Sequence, residues 1–462
     1  MNPSTILQQA GFDAARLTEL ADAKPAMTGD FERDAHASSR FWQLSKALLD
    51  QLPAKPNRSP AEAAAGAALL EQTREHREQF LHQHVRAVYA KLTNDRETFL
   101  RVDALAYAAS SLVPGLTPTR RTVDAENELI QSAKDGHEID QGIFFGHVLA
   151  DPQCGMHLCH AMLLPHPQSH DYLDEYLKTG SVDLGTARVV RGAHSGTVYF
   201  QNPRFMHAED ETTLLPVEVC VDLCLLDPTN VIGVMRGGVI DQGKHKGRRA
   251  FCTGINLTHL YYGKVSYLWY LQRDLAFVNK IYRGLADPYH SPDEILGRTT
   301  EKLWIAAIDQ FAIGGGCQYM LVMDINIAGE DAYLTLPARK EGIVPGAANM
   351  RLPRFVGDRI TRQAIMLEKR IDCASPEGRM ICDLVVPPDQ IDETIDNTIA
   401  MISASGVVSA ASNRKAFRVA QEPLDLFRRY MAVYAREQAY CHFSPALISN
   451  LEKNWHANQR KI

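Results

Sequence analysis

Between Ile308 and Gln318 an apolar segment, Ile308-Asp309-Gln310-Phe311-Ala312-Ile313, runs straight into three glycines and then Cys317-Gln318. The next residues, Tyr319-Met320-Leu321-Val322, have helical character. Residues without side chains at a strand-to-helix junction leave backbone N–H groups bare, with the positive end of a helix dipole behind them. Such a turn suits a phosphate, or a carbonyl oxygen that gains negative charge. The chain has neither the G-x-x-x-x-G-K-S/T phosphate loop nor the spacing of a dinucleotide fingerprint, which leaves the carbonyl oxygen as the more interesting ligand. A hole for that oxygen needs a second bare N–H. Ala250-Phe251-Cys252-Thr253-Gly254-Ile255-Asn256-Leu257 can supply it, because a strand ending in a glycine turn projects the next amide, that of Ile255, out of the sheet.

The rest of the chain narrows the setting. Its 462 residues suffice for two or three domains at roughly 150 residues each. A net charge of −6 without basic or acidic blocks argues against nucleic acid or an anionic membrane surface as the main partner. The first residues, MNPSTILQQAGFDAARL, lack a charged region followed by an apolar one, so no secretory signal is expected. No apolar run reaches the roughly 18 residues of a membrane span. Nine scattered cysteines, an odd number, read as reduced and mostly buried thiols of a cytoplasmic protein.

Texture divides the chain into a helical domain over 1–185, an α/β core over 186–400 and a helical C-terminal segment over 401–462. Ala61 to Val85 carries Leu69, Leu70, Phe80, Leu81 and Val85 at near-helical spacing. Ala187–Arg191 and Thr197–Phe200 look like short strands, and 210–226 like a helix started by Asp210 despite the internal Pro216. Val231–Met235 reads as a buried strand, 265–285 as one long helix and 304–310 as another strand. Strands alternating with helices predict an α/β region with parallel pairing.

Two of these stretches, AFCTGINL and AIDQFAIGGGCQ, resemble the paired signatures of the crotonase (enoyl-CoA hydratase/isomerase) superfamily. Asn202–Ala208, Asp324–Ala328 and Gly342–Ala348 resemble further family segments in the same order, so the likeness covers roughly 190–420. It implies a spiral of βαβ turns, a coenzyme-A thioester substrate and a homotrimer or a hexamer made as a dimer of trimers. It also implies an oxyanion hole from the backbone amides of Ile255 and Gly315. Gly254, Asn256 and Gly316 would cradle the thioester, and Arg204 would stand near the CoA phosphates. Hydratases of this family carry a Glu after Gly-Gly-Gly-Cys and another after the later proline. Here those positions hold Gln318 and, after Pro337, Ala338. Neither side chain exchanges protons, so addition of water to an alkene is not expected.

Over most of its length the chain resembles one branch of that superfamily, the cofactor-independent dioxygenases of 3,5-dihydroxyphenylacetyl-CoA in glycopeptide-antibiotic biosynthesis. The likeness rests on His157–Pro165, Asn202–Arg204 leading to Ala208-Glu209-Asp210, Phe251–Leu257, Arg273-Asp274-Leu275 and Ala435–Tyr440. It implies oxidation of the aryl-acetyl thioester by O₂ to 3,5-dihydroxyphenylglyoxylate with release of CoA, without metal or other cofactor. Glu209, Arg273 and Gln318 would anchor the phenol hydroxyls, and Gln438 would contact CoA or substrate. The same fold could instead support thioester hydrolysis or another enolate step, or a non-catalytic CoA-ester-binding subunit. Cys154, His157, Cys159, His160, His166 and His170 crowd one stretch, but Cys-x₂-His-x-Cys-His is not a recurrent ligand pattern. Core packing is the expectation there, with no metal site.

Overall fold

The computed structural model describes residues 3–290, 293–404 and 407–462. They form two units, one of residues 1–158, 261–268 and 431–448, the other of residues 159–260, 269–430 and 449–462. The C-terminal helices thus contribute to both.

The first unit is helical, as its alanine-, leucine- and glutamate-rich sequence predicts. Its longest helix, Pro60–Leu92, starts at a capping box: Glu62 N–H donates to Ser59 Oγ at 3.3 Å and Ser59 N–H to Glu62 Oε2 at 2.8 Å. Pro60 sits at the first turn, where its missing N–H costs nothing. The helix buries Phe80, Leu81 and Val88 completely, and Trp42 of Phe31–Leu49 meets Phe80 edge-on at 5.6 Å. Tyr89 Oη and His157 Nδ1 lie 2.8 Å apart, and Phe99 stacks on the His157 ring. That part of the histidine-rich stretch is core packing. Among the described residues no cluster of His, Cys, Asp or Glu has the makings of a metal site, and no helix is long and apolar enough to cross a membrane.

The second unit holds a seven-stranded sheet in the spatial order Ser181–Asp183, Ala187–Arg191, Ser195–Phe200, Ile232–Gly237, Leu303–Ile308, Ile325–Gly329, Leu384–Val386. The first three strands pair antiparallel, and every pairing from Ser195–Phe200 onward is parallel. Parallel strands are covered on both faces, so they read as continuous apolar runs. Ile232, Val234, Ile305 and Ala307 face one core with Ile391 and Ile395, while Met235, Trp304, Ala306 and Ile308 face the other. Helix Glu211–Leu226 starts at Asp210 as predicted. Pro216 has no N–H for the Thr212 carbonyl, and Thr186 Oγ1 donates to that oxygen instead at 2.7 Å.

A second, smaller sheet is built largely from segments that follow the central strands, with Ile371–Asp372 antiparallel at one edge. Ile232–Gly237 leads to Cys252, Leu303–Ile308 to Phe311–Ile313, and Ile325–Gly329 to Tyr333–Thr335. Phe311–Ile313 pairs parallel with Tyr333–Thr335, and Cys252 bridges to Ala312. The chain therefore winds repeatedly from the large sheet to the small one. Two expectations need correction. Residues 265–285 do not form one helix: Tyr267–Leu275 and Phe277–Arg283 are separated at Ala276, with φ −96° and ψ −107°. The break directs Arg273 into one buried ion cluster and Lys280 into another, with Glu218 and Asp222. Nor is Ala250–Cys252 a full strand. It pairs through one bridge only.

Candidate active site

The small sheet brings the two glycine turns together. Ile313 N–H donates to the Cys252 carbonyl at 3.0 Å, which lays 252–256 alongside 311–316. Gly254 (φ 73°) and Gly314 (φ 52°) both adopt left-handed backbone that a side chain would strain. A Cβ on Gly254 would stand 2.7 Å from the Gly315 nitrogen and 2.8 Å from the Ile313 oxygen. The turns touch because neither has a side chain there.

Two amides are left over. Ile255 pairs with Glu209, but the bonds run from Glu209 N–H to the Gly254 carbonyl at 2.8 Å and from Asn256 N–H to the Glu209 carbonyl at 2.7 Å. A parallel bridge of that form turns the Ile255 N–H off the opposite edge. Gly315 opens the short helix Gly315–Met320, where a first N–H has no intrahelical acceptor. Among the described residues neither N–H has a partner. Two bare amides on abutting turns have the form of an oxyanion-hole donor pair.

Packed against Gly315 is a buried ion cluster. Arg273 donates Nε to Glu209 Oε1 at 2.8 Å and Nη2 to Glu209 Oε2 at 3.1 Å. Its Nη1 reaches Asp274 Oδ1 and Gln318 Oε1, each at 2.8 Å, and Nη2 also reaches the Gly315 carbonyl at 3.2 Å. All five guanidinium donors are engaged within the protein. Tyr319 Oη donates to Glu209 Oε1, and the Arg273 guanidinium lies over the Tyr319 ring at 4.7 Å. Burial works to lower the pKa of Arg273, but the Glu209 carboxylate beside it outweighs burial and holds the guanidinium firmly protonated. Burial raises the Tyr319 phenol well above its usual range, so it remains a donor to Glu209. Burial also raises Asp274, against the pull of Arg273.

A cavity of about 780 Å³ opens beside the Ile255 turn. Ile255, Asn256, Ile313, Pro337 and Glu341 line it, with Arg204, Lys340, Arg460 and Lys461 as its cations and Trp455 as an aromatic wall. Glu209, Arg273, Gln318, Tyr319 and Gly315 thus form one group, while Ile255, Asn256 and Arg204 share the cavity. Asn256 also builds its own turn: Nδ2 donates to Asp210 Oδ2 at 2.9 Å, and Oδ1 accepts the Thr258 and His259 N–H groups. Gly316 has no room for a Cβ, which would collide with the Cys252 carbonyl. Gln438 belongs to the helical unit, where its side chain is fully buried. Sequence reasoning missed Tyr319, Asp274 and Glu341. Asp274 adjoins Arg273 and could have been paired with it, whereas nothing local marked Glu341.

Spiral winding between two sheets, with bare amides on two abutting glycine turns, is an arrangement suited to holding a carbonyl oxygen that gains negative charge. The chain belongs to the enoyl-CoA hydratase/isomerase (crotonase) superfamily, whose enoyl-CoA hydratase/isomerase profile matches residues 293–438. It is 41% identical over 409 residues, 88% of this chain and 92% of the relative, to (3,5-dihydroxyphenyl)acetyl-CoA 1,2-dioxygenase of Amycolatopsis orientalis. It is 24% identical to crotonyl-CoA hydratase of Syntrophomonas wolfei over 47% of this chain and 76% of that one. A solved enoyl-CoA hydratase of Mycobacterium avium subsp. paratuberculosis aligns with 60% of this chain and 98% of its own, at 17% identity and a TM-score of 0.48.

Proposed function

We propose that this chain is a dioxygenase that converts (3,5-dihydroxyphenyl)acetyl-CoA and O₂ to 3,5-dihydroxyphenylglyoxylate and free CoA, without metal or organic cofactor. The observation that carries the reading is the pair of unpartnered amides, Ile255 and Gly315, in a chain whose neighbouring positions 318 and 338 hold Gln and Ala. The site keeps the means to stabilise an enolate and lacks the two carboxylates that would add water. Similarity across 88% of the chain to a dioxygenase of that name supports the same substrate.

The chemistry derives from the geometry. Loss of an α-proton puts negative charge on the thioester oxygen, and each amide donor there is worth roughly 3–4 kcal/mol in the transition state. The enolate gives an electron to O₂ and the radicals combine at the α-carbon. The resulting peroxide closes on the thioester carbonyl and expels CoA as thiolate. Cleavage of the O–O bond with loss of the second α-proton leaves the keto acid. Both atoms of O₂ end in the product, and the four electrons they accept come from the α-carbon.

Gln318 offers its amide Nε2 to a ring hydroxyl while Arg273 holds its Oε1. Glu209 and Arg273 serve that placement and anchor the Gly315 carbonyl. Arg204, Lys340, Arg460 and Lys461 supply cations for the CoA phosphates. Nine free cysteines support a reducing, cytoplasmic setting, and the family relationship supports a homotrimer or hexamer. Purified protein treated with chelator and given the thioester should consume O₂ and release thiol in equal amounts. Thiol release without O₂ uptake under air would overturn the proposal in favour of a hydrolase, and light scattering reads the oligomer.

A further inference from the structure

The short helix Ala338–Glu341 ends where Gly342 N–H donates to the Ala338 carbonyl at 2.8 Å. Residues three apart in such a turn share a side, and Ala338 and Glu341 are both buried, at 2% and 4% exposure. Glu341 is also one of the residues that line the cavity beside Ile255. Its backbone N–H is engaged by the Pro337 carbonyl at 2.9 Å. Its carboxyl group has no hydrogen-bond donor and no cation among the described residues. Lys340, next in the chain, lies 3.8 Å from Glu368 and over the Trp455 ring at 5.4 Å.

Buried carboxylates in proteins are paired or multiply hydrogen-bonded, and every other carboxylate near this site obeys that rule. Glu209 has Arg273 and Tyr319, Asp274 has Arg273, and Asp210 has Asn256 and Thr212. Glu341 alone among these faces the cavity with its oxygens unspent. A group in that condition is suited to accept a proton from a ligand rather than to hold the fold.

We propose that Glu341 is the base that removes the α-proton of the bound thioester. The α-C–H bond breaks and its electron pair enters the C–C–O system of the enolate, whose oxygen rests on the Ile255 and Gly315 amides. The proton passes to a Glu341 oxygen, and nothing is oxidised or reduced in this step. The same proton can then neutralise the departing CoA thiolate, which frees the carboxylate for the second α-proton. Burial raises the carboxyl to about 7, which keeps it a competent acceptor near neutral pH. The other charged groups lining the cavity are Arg204, Lys340, Glu368, Arg460 and Lys461.

This assignment rests on the dioxygenase reading, and one experiment separates the two. Full-length protein is incubated with (3,5-dihydroxyphenyl)acetyl-CoA in D₂O without oxygen, and α-deuterium is measured over time by mass spectrometry. O₂ uptake and thioester binding are measured in parallel. Wild type should exchange, and Glu341→Gln should slow both exchange and O₂ uptake at least a hundredfold (on the order of what general bases contribute) while binding stays within a few-fold. Glu341→Asp, which keeps the acid but withdraws it, should recover part of the rate and carries the test if the Gln variant does not fold. Exchange undiminished in either folded variant overturns the role of Glu341 alone. Absence of both exchange and O₂ uptake in wild type overturns the dioxygenase reading and this assignment with it.

Discussion

Arg273 grips both oxygens of Glu209, at 2.8 Å and 3.1 Å, with each side chain less than a twentieth exposed. Because the same guanidinium also holds the Gly315 carbonyl, the ion pair and the amide hole share a support. Removing one partner of a buried pair costs roughly 3–5 kcal/mol when the other charge is left alone, and here Asp274 still pairs with Arg273. Glu209→Gln should therefore lower stability by less than that amount in a denaturant titration. Arg273→Lys cannot span Glu209 and Gly315 together. It should reduce kcat by more than it raises KM, as expected when a group steadies the transition-state donor.

Gly254 and Gly315 are fixed by space as much as by conformation. A methyl group on Gly315 would collide with Glu209 Oε2 and stand 2.9 Å from Arg273 Nη2, and one on Gly254 would stand 2.7 Å from the Gly315 nitrogen. Gly254→Ala should cost about a hundredfold or more in single-turnover rate, comparable to loss of an oxyanion donor. Its effect on substrate binding should be smaller. A Gly254→Ala enzyme with an unchanged rate would remove Gly315 and Ile255 from the chemistry.

How far the sequence carried depended on the range of the forces involved. The capped helix from Asp210, the buried strand at 232–237 and the glycine turns were legible because their signals lie within a few residues. The break at Ala276 was not, since 271–280 contains neither glycine nor proline, and the tertiary bonds of Arg273 and Lys280 decide it. Of the candidate site, the residues that the structure groups, Gly315, Glu209, Arg273 and Gln318, and the bare amide of Ile255 could be picked out from motif position. That all five donors of Arg273 are spent on protein atoms could not, because Glu209, Gly315 and Gln318, which accept four of them, lie more than forty residues away in the chain. Glu341 was invisible for another reason: its distinction is a missing partner.

Gly233 lies opposite Trp304 in the register of the two central strands, and a Cβ there would run into the indole. Trp304 is fully buried, so it has nowhere to retreat. Overpacking of this kind costs roughly 1–3 kcal/mol. Gly233→Ala should lower the denaturation midpoint accordingly while leaving KM for the thioester unchanged in the folded fraction. A variant as stable as wild type would show that the sheet can part at this pair.

Glu341 links activity to stability with opposite signs. Its carboxyl is raised from the usual 4.5 to about 7 by burial, so the folded protein holds the proton more tightly than the unfolded chain does. The favourable contribution is complete below about pH 4.5 and disappears as pH rises through 7. At about 1.4 kcal/mol for each pH unit, wild type should lose about 3 kcal/mol over that range relative to a neutral side chain. Glu341→Gln, matched to wild type near pH 4, should therefore be the more stable protein at pH 8 in urea titrations. Turnover runs the other way, because a base must be ionised: wild-type activity should fall tenfold per unit below about pH 7, and the Gln variant should lose that limb along with its rate. A buried acid kept at such a cost to the folded state at working pH is explained by the proton it takes. Equal stability of the two proteins at pH 8 would mean that water or a mobile cation reaches the carboxylate.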